Sequence, residues 1–158
     1  SLLEEDKMPM TLDLLKKAEE KGVKFLLPVD VVCAPEFAND SPAEVYPADG
    51  MPADKMGLDI GPKTRELYRQ AILDSKTVVW NGPMGVFEMD NFAAGTKAIA
   101  EALNECAGTT VVGGGDSAAA ARKFDLEANI SHISTGGGAS LEFLEGKVLP
   151  GVACLLDA

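Results

Sequence analysis

Two runs of three glycines, residues 113–115 and 136–138, are the parts of this sequence best suited to holding an anion. Each run follows a short β-branched segment and precedes a run of helix-forming residues, a pattern typical of a buried parallel strand that meets a helix N-terminus. Glycine lets a ligand approach the backbone closely, and the first helical turn carries unpaired N–H groups and partial positive charge. The two turns therefore predict a phosphate-binding crevice at the carboxyl edge of a parallel sheet.

A third strand-to-helix turn covers residues 81–88, with the sequence Asn-Gly-Pro-Met-Gly-Val-Phe-Glu. None of the three turns is a Walker A loop, because none ends in Gly-Lys-Ser/Thr, and none is GxGxxG. Tight turn geometry alone can explain the glycines of any single turn, and Asn81 could cap its own turn. Three such turns in one chain favour a nucleotide, so the residues themselves predict a phosphate-binding α/β domain.

Two side chains near these turns could do chemistry, and their roles differ. Asp116 opens the predicted helix after the first glycine run, where a carboxylate can serve as a helix N-cap or as a ligand for Mg²⁺. Both roles stay open on the residues alone. His132 is the only histidine. We interpret it as structural, because nothing near it in sequence forms a catalytic triad.

Strands and helices alternate along the chain, which predicts a parallel α/β sheet. The elements predicted before the first glycine run are a helix capped by Thr11 and closed by Gly22, a strand over 23–27, an edge strand over 30–34, a helix beginning near Pro62, a strand over 76–80 and a helix capped by Asn91. Residues 35–61 are rich in Pro, Asp and Gly, and we expect this long connection to be functional or to carry short strands of its own.

Composition narrows the possible partners. The chain has 14 Lys and Arg against 25 Asp and Glu, a net charge of −11. This balance argues against nucleic acid and against an anionic membrane surface as partners, and no apolar run is long enough to span a bilayer. Cys33, Cys106 and Cys154 are widely spaced, which favours buried thiols in a reducing cytoplasm over disulfides or a metal site.

Residues 79–88 closely resemble the most diagnostic stretch of the phosphoglycerate kinase family. Residues 113–117 and 134–142 resemble the family's two other nucleotide-side motifs, and residues 56–62 and 149–151 also match. The resemblance implies a cytoplasmic, monomeric parent enzyme. It identifies this chain with the nucleotide-binding C-terminal domain, a Rossmann-like parallel sheet with helices on both faces. Because the first residues lack an initiator Met and look like the middle of a helix, we expect residues 1–158 to form one partial domain, incomplete at its N-terminal side.

The resemblance implies a reaction as well as a fold. The family transfers a phosphoryl group reversibly between 1,3-bisphosphoglycerate and ADP, giving 3-phosphoglycerate and ATP in glycolysis. The C-terminal domain would hold Mg²⁺ with ADP or ATP, and the N-terminal domain would bind the glycerate substrate. The attacking carboxylate is ionised at neutral pH, so the reaction needs no general base and depends on positioning and charge neutralisation.

The same resemblance implies a set of site residues. The catalytic N–H groups that face the transferring phosphoryl group would come from Gly115, Gly136, Gly137 and Gly138. The nucleotide would be bound by Leu58, Asn81, Gly82, Pro83, Val86, Glu88, Gly115, Asp116 and Ser117. Within this set Asp116 is the implied magnesium ligand and Glu88 the implied ribose ligand, while the apolar members would line the adenine slot. A solvated carboxylate at Glu88 and core packing of the apolar residues would explain the same residue types.

Two other classes of function stay open. The chain could be a nucleotide-binding or interaction module without turnover, or a Rossmann-type oxidoreductase, which the missing GxGxxG disfavours. The family's basic glycerate patch and the lysines that reach the nucleotide are absent from this sequence. We therefore expect the chain alone to be inactive and to bind Mg-ADP weakly.

Overall fold

Two three-stranded sheets and the helices around them form the part of the chain that the computed structural model describes, residues 4–134 and 136–155. The strands are β1 Asp30–Ala34, β2 Glu44–Pro47, β3 Met56–Ile60, β4 Thr77–Asn81, β5 Thr109–Gly113 and β6 His132–Ser134. The helices are α1 Met8–Glu20, α2 Pro62–Leu73, α3 Ala94–Glu105, α4 Gly115–Lys123, α5 Gly137–Leu144 and α6 Pro150–Ala153, with 3₁₀ turns at Glu5–Lys7 and Asp90–Phe92. None of these helices has the length and apolar character needed to cross a membrane.

The second sheet is parallel, with the strand order β4-β5-β6. Asn81 pairs with Gly113, and Gly113 pairs with Ser134, so the three strands end side by side. Each strand then leads into a helical segment from the same edge of the sheet. This arrangement confirms the predicted α/β class with a parallel sheet flanked by helices.

The main core lies between this sheet and the helices that follow its strands. In α3 the buried residues recur with the three- and four-residue spacing of an amphipathic helix, at Thr96, Ile99, Ala100 and Leu103. Ile99, Ala100 and Leu103 share one cluster of buried side chains with residues of the sheet, of the segment after β4 and of α4. Its other members include Trp80, Phe87, Val112, Ala118, Ala120 and Ala121. The small alanines let α4 pack closely against its neighbours, so its orientation is fixed by the core.

The first sheet is antiparallel and was not predicted as such. Its order is β2-β1-β3, so β1 is the central strand and the prediction of an edge strand over 30–34 is wrong. Both flanking strands come from the Pro-rich segment 35–61, which confirms that this connection carries short strands of its own. A smaller core cluster joins this sheet to the 3₁₀ turn Asp90–Phe92, with Val32, Ala34, Leu58 and Phe92 buried together.

The N-terminal region differs from its prediction in two ways. Residues 23–27 do not form a strand, because they pair with neither sheet. Thr11 does not cap α1, which begins at Met8; its hydroxyl instead donates a hydrogen bond to the carbonyl of Lys7 at 3.1 Å. The predicted end of this helix at Gly22 is confirmed, since Gly22 follows the last turn with a φ of +64°.

The start of α3 also differs from the prediction. The helix begins at Ala94, and Asn91 lies in the preceding 3₁₀ turn, where its amide donates to the carbonyl of Asn39. Asn91 therefore joins two loops and does not cap the helix. Of the three free thiols, Cys33 is buried as predicted, whereas Cys154 is exposed.

Candidate functional site

The two glycine runs lie in direct contact at the carboxyl edge of the parallel sheet. A Cβ atom built on Gly137 would lie 2.5 Å from the Cα of Gly114 and 2.7 Å from its backbone nitrogen. Gly114 has a φ of +95°, which L side chains rarely adopt, and this conformation lets β5 turn directly into α4. The N-termini of α4 and α5 are therefore held next to each other.

A polar cleft of about 180 Å³ opens at this point. It is lined by Asn81, Gly82, Gly113, Gly114, Gly115, Asp116 and Ser117. The first turn of α4 faces this cleft with backbone N–H groups that lack intrahelical acceptors and carry the positive end of the helix dipole. Asp116 is exposed and is the one charged side chain in the lining. Such a cleft suits an anion bound mainly through backbone donors.

Ser117 connects two of the turns. Its side chain is 1% exposed, and its hydroxyl oxygen accepts a hydrogen bond of 2.7 Å from the backbone nitrogen of Gly82. The carbonyl of Gly82 in turn accepts a 2.7 Å hydrogen bond from the indole of Trp80, which is buried in the core. Both backbone groups of Gly82 are thus fixed, and the third turn is held against α4.

Hydroxyl groups also brace the second glycine run. The backbone nitrogen of Gly136 donates to the Ser134 hydroxyl at 3.2 Å, and the Ser140 hydroxyl donates to the carbonyl of Gly136 at 3.1 Å. The two hydroxyl oxygens are 3.3 Å apart. Because its N–H is used in this way, Gly136 fixes the shape of the turn and does not direct a donor into the cleft. Thr135, between these residues, lies outside the described part of the chain.

A buried threonine in α3 holds the loop that follows β4. The hydroxyl oxygen of Thr96, which is fully buried in α3, accepts hydrogen bonds from the backbone nitrogens of Met84 and Gly85 at 3.1 and 3.3 Å. The Asp59 carboxylate accepts a 2.6 Å bond from the nitrogen of Gly95 at the start of the same helix. Burial raises the pKa of Asp59, and its backbone hydrogen bonds offset part of that rise. These hydrogen bonds fix the loop against the start of α3.

Comparison with known proteins shows the family to which this chain is similar. Residues 1–147 match the family model described as phosphoglycerate kinase. The chain belongs to the phosphoglycerate kinase family. The structure of phosphoglycerate kinase from Coxiella burnetii is 42% identical, with a TM-score of 0.90 over 94% of this chain and 38% of that chain. The enzyme from Pyrococcus horikoshii OT3 is 34% identical, with a TM-score of 0.74 over 95% of this chain and 38% of that chain.

The family match covers nearly all of this chain but a minor part of each relative. The chain spans 38% of the length of both phosphoglycerate kinases named above. The resemblance of the sequence motifs to this family is confirmed.

The structure brings some of the residues expected at the phosphates together in the polar cleft, but the lining of the cleft does not include Gly136, Gly137 or Gly138. The residues expected at the nucleoside also lie outside the cleft lining. The polar cleft contains Asn81, Gly82, Gly115, Asp116 and Ser117. Its lining does not include the residues expected at the adenine and ribose, which are Leu58, Pro83, Val86 and Glu88.

Leu58 differs most from its expected role, since it is 7% exposed and packs in the smaller core. Val86 is half-buried against the same core, and its nitrogen donates to the carbonyl of Leu58 at 2.9 Å. Pro83 is half-buried and Glu88 is exposed. The core-packing interpretation therefore accounts for Leu58 in this structure, while Glu88 is accessible to a ligand.

The carboxylate at the cleft determines whether Mg²⁺ fits there. Among residues 4–134 and 136–155, no three His, Cys, Asp or Glu side chains come together as a metal site. A single exposed carboxylate beside a phosphate cleft nevertheless suits Mg²⁺, which keeps several waters and binds through one or two carboxylates plus substrate phosphates. Asp116 fits this pattern.

Three residues that organise the site, Thr96, Ser134 and Asp59, were not identified from the sequence. Thr96 and Asp59 act on backbone groups in other elements, so no local pattern reveals them. Ser134 carries a weak signal, because a hydroxyl two residues before a glycine can bond to the backbone of the turn.

Proposed function

We propose that this chain is the Mg-nucleotide part of a phosphoglycerate kinase and binds ADP or ATP with Mg²⁺. In the complete enzyme it takes part in reversible phosphoryl transfer between 1,3-bisphosphoglycerate and ADP, which gives 3-phosphoglycerate and ATP in glycolysis. Family membership supports the kinase class. The observation that carries the assignment to this chain is the contact between Gly137 and Gly114, which holds the N-terminus of α5 against that of α4 beside the cleft.

The phosphates are bound mainly through backbone donors. Gly115 and the following residues of α4 offer N–H groups at the positive end of the helix dipole. The Ser117 hydroxyl accepts its bond from Gly82, so its own proton is left to be donated to a phosphate oxygen. The exposed amide of Asn81 lies at the edge of the same cleft and adds a further donor.

Asp116 is the residue that would hold Mg²⁺, with the nucleotide phosphates and water completing its coordination. When bound, Mg²⁺ neutralises negative charge on the phosphate oxygens. This contribution matters here because the cleft lining contains no Lys or Arg side chain. The N-cap position of α4 is Gly114 and no side chain caps the helix, so the N-cap role considered for Asp116 is wrong. Its carboxylate lies in the first turn, where the helix dipole stabilises it.

Catalysis by this part of the enzyme consists of positioning and of hydrogen bonds to the transferring phosphoryl group. Gly115, Gly137 and Gly138 lie at the N-termini of α4 and α5 and provide N–H donors, while Gly136 keeps the second turn in shape through Ser134. Such donors stabilise charge on the equatorial oxygens of the transition state. The glycerate carboxylate is the nucleophile and is already ionised, so no side chain has to remove a proton.

The nucleoside would lie along the loop that follows β4. Glu88 is the proposed ribose ligand, since its exposed carboxylate can accept hydrogen bonds from two vicinal hydroxyls. Pro83 and Val86 offer half-buried apolar surface for the adenine, and Leu58 supports that surface from the core. We propose that the complete enzyme is a cytoplasmic monomer whose other domain binds 3-phosphoglycerate or 1,3-bisphosphoglycerate.

The test separates nucleotide binding from turnover. Mg-ADP is titrated into the ¹⁵N-labelled chain while the backbone amide signals are followed, and a coupled assay measures ATP formation from 1,3-bisphosphoglycerate. We expect shifts concentrated at Gly114, Gly115, Gly137 and Gly138, weak affinity and no turnover. Without the other domain the loss of substrate positioning is worth roughly 7–11 kcal/mol, which puts turnover out of reach.

Absence of shifts at these glycines with millimolar Mg-ADP would overturn the proposed nucleotide site. Turnover by the 158 residues alone would show that the glycerate site lies within this chain. NADH run as a second ligand distinguishes the oxidoreductase alternative, which predicts stronger binding of the nicotinamide nucleotide than of ADP.

A further inference from the structure

Lys123, the last residue of α4, makes contacts that neither the core nor the phosphate cleft explains. Its ammonium nitrogen donates to the carbonyl oxygen of Phe87 at 2.8 Å and to that of Glu88 at 3.2 Å. It also lies 3.3 Å from a carboxylate oxygen of Asp90. All three acceptors belong to the loop after β4, which is more than thirty residues away in sequence. The Lys123 side chain therefore binds this stretch of the loop to the C-terminal end of α4.

The backbone contacts are the part of this arrangement that fixes position. The side chains of Lys123 and Asp90 are 34% and 85% exposed, and an exposed ion pair of this kind contributes little energy. Hydrogen bonds from a charged donor to carbonyl oxygens are stronger than neutral ones. Two consecutive carbonyls that converge on one ammonium group restrict the orientation of the peptide that joins Phe87 to Glu88.

The same helix that ends at Lys123 begins at the phosphate cleft. α4 is nine residues long, which corresponds to about 13 Å between its ends. Ala118, Ala120 and Ala121 bury its middle turn in the core, so the helix behaves as a rigid connector. Asp116 and Ser117 at one end and the Glu88 backbone at the other are thus fixed relative to one another.

Phe87 and Glu88 differ in what else holds them. Phe87 is 6% exposed and anchored in the core, whereas Glu88 is exposed. Among the described hydrogen bonds, the one to Lys123 is the contact that links Glu88 to the helix of the phosphate cleft. Loss of the lysine would leave the Phe87 side chain in place and release the peptide that carries the Glu88 side chain.

We propose that Lys123 is a positioning residue that fixes the Glu88 carboxylate relative to the phosphate cleft and thereby sets the affinity for the nucleoside part of ADP. This inference rests on the proposed function, in which Glu88 binds the ribose. Lys123 affects the binding of the nucleoside and not the binding of the phosphates, although its own helix begins at the phosphate cleft.

The experiment compares two ligands that share the diphosphate and differ in the nucleoside. Dissociation constants for Mg-ADP and Mg-pyrophosphate are measured by amide chemical-shift titration for the unmodified chain and for Lys123→Met, Lys123→Arg and Arg122→Met. Arg122→Met is the matched control, because it removes one positive charge from the same helical turn. Arg122 pairs with Glu127 at 3.2 Å and, among the described residues, has no hydrogen bond or ion pair with the loop.

We expect Lys123→Met to raise the Kd for Mg-ADP about five- to tenfold, the effect of losing one partly exposed hydrogen-bonded contact, and to leave the Kd for Mg-pyrophosphate unchanged. Lys123→Arg keeps the charge and the donors and should restore most of the ADP affinity. Arg122→Met should weaken neither ligand. Amide signals of residues in the core serve as the check that every variant is folded.

A double-mutant cycle with Glu88→Gln then identifies the route of the effect. If Lys123 acts through Glu88, Lys123→Met has little further effect on ADP binding once Glu88 is changed. Equal weakening of both ligands, or full additivity with Glu88→Gln, would overturn the positioning role. If Lys123→Met fails to fold, Lys123→Gln takes its place. Loss of ADP affinity in Lys123→Gln with pyrophosphate binding intact supports the positioning role, and unchanged ADP affinity or additivity with Glu88→Gln overturns it. An unmodified chain that binds Mg-pyrophosphate but gains nothing from the nucleoside also overturns it, whereas one that binds neither ligand refutes the proposed function itself.

Discussion

Gly137→Ala is the substitution that tests the architecture of the site most directly. The added Cβ would lie 2.5 Å from the Cα of Gly114 and 2.7 Å from its nitrogen. Carbon atoms in contact are normally about 3.5–4.0 Å apart, so the two turns must separate by about 1 Å. Both colliding groups are backbone, and no side-chain rotation can relieve the overlap.

The expected change in the stability of Gly137→Ala follows from two opposing effects. Overpacking of this kind costs about 1–3 kcal/mol, while replacing glycine by alanine in a helix interior returns at most about 1 kcal/mol. Gly137 is the first residue of α5, where the gain in helix propensity is smaller than in the interior. We therefore expect the variant to be less stable by about 1–2 kcal/mol. Binding should suffer more, because a 1 Å separation misaligns donors from both helices at once.

The assay pairs this variant with Gly138→Ala. The neighbouring position has no other atom within 4 Å of an added Cβ, and alanine keeps the backbone N–H. We expect the Kd for Mg-ADP to rise at least about tenfold in Gly137→Ala, equal to roughly 1.4 kcal/mol, and to change much less in Gly138→Ala. Urea unfolding measures the stability of both. Equal ADP affinities for the two variants would refute the argument that contact between the turns builds the cleft.

Two further predictions concern carboxylates with different functions. In a complete phosphoglycerate kinase containing this chain, Asp116→Asn should remove most turnover and leave nucleotide binding comparatively intact; near-normal kcat at saturating Mg²⁺ would contradict the metal role. Asp30 accepts hydrogen bonds from the Thr64 hydroxyl and from the backbone of Lys63 and Thr64, which lower its pKa despite the opposing effect of burial. Its folded pKa lies below the unfolded value of about 3.9, so the stability it provides is present above that pH and is lost as the pH falls further. Asp30→Asn should thus destabilise the fold by about 1–3 kcal/mol at pH 7, and the difference should shrink toward pH 3 in urea unfolding; a constant difference would contradict this role.

The sequence predicted the parallel part of the fold well because its signals are local. β4 and β5 are β-branched runs that end at glycine or asparagine, and α2 begins at Pro62 as expected. The antiparallel sheet depends on pairing between distant segments. β2 is a four-residue strand whose side chains are mostly exposed, so it has almost no periodic signal, and its existence depends on β1. Residues 23–27 are the converse case, since they have strand-like composition without a partner in either sheet.

The residues of the candidate site also fall into those that a local sequence pattern reveals and those that it does not. The residues that line the cleft lie in glycine turns that a reader of the sequence can recognise, because glycine there answers a local requirement of the backbone. The residues that hold the turns in place are a threonine inside α3 and a lysine at the end of α4, both ordinary at such positions. Thr96 acts 11 and 12 residues from its own position, and Lys123 acts more than thirty residues away. Only the folded arrangement shows what they contact.

The charge of the chain explains why backbone donors dominate this site. The net charge is −11, and Asp116 is the one charged side chain in the cleft lining. A polyanionic nucleotide therefore meets helix dipoles and N–H groups in this chain and not formal positive charges. Dipoles hold phosphate oxygens in a fixed geometry, but they do not neutralise their charge. In the function proposed above, neutralisation would fall to Mg²⁺ at Asp116 and to cationic groups outside the cleft. This chain would then supply mainly geometry, and its affinity would depend on the partners that bring charge.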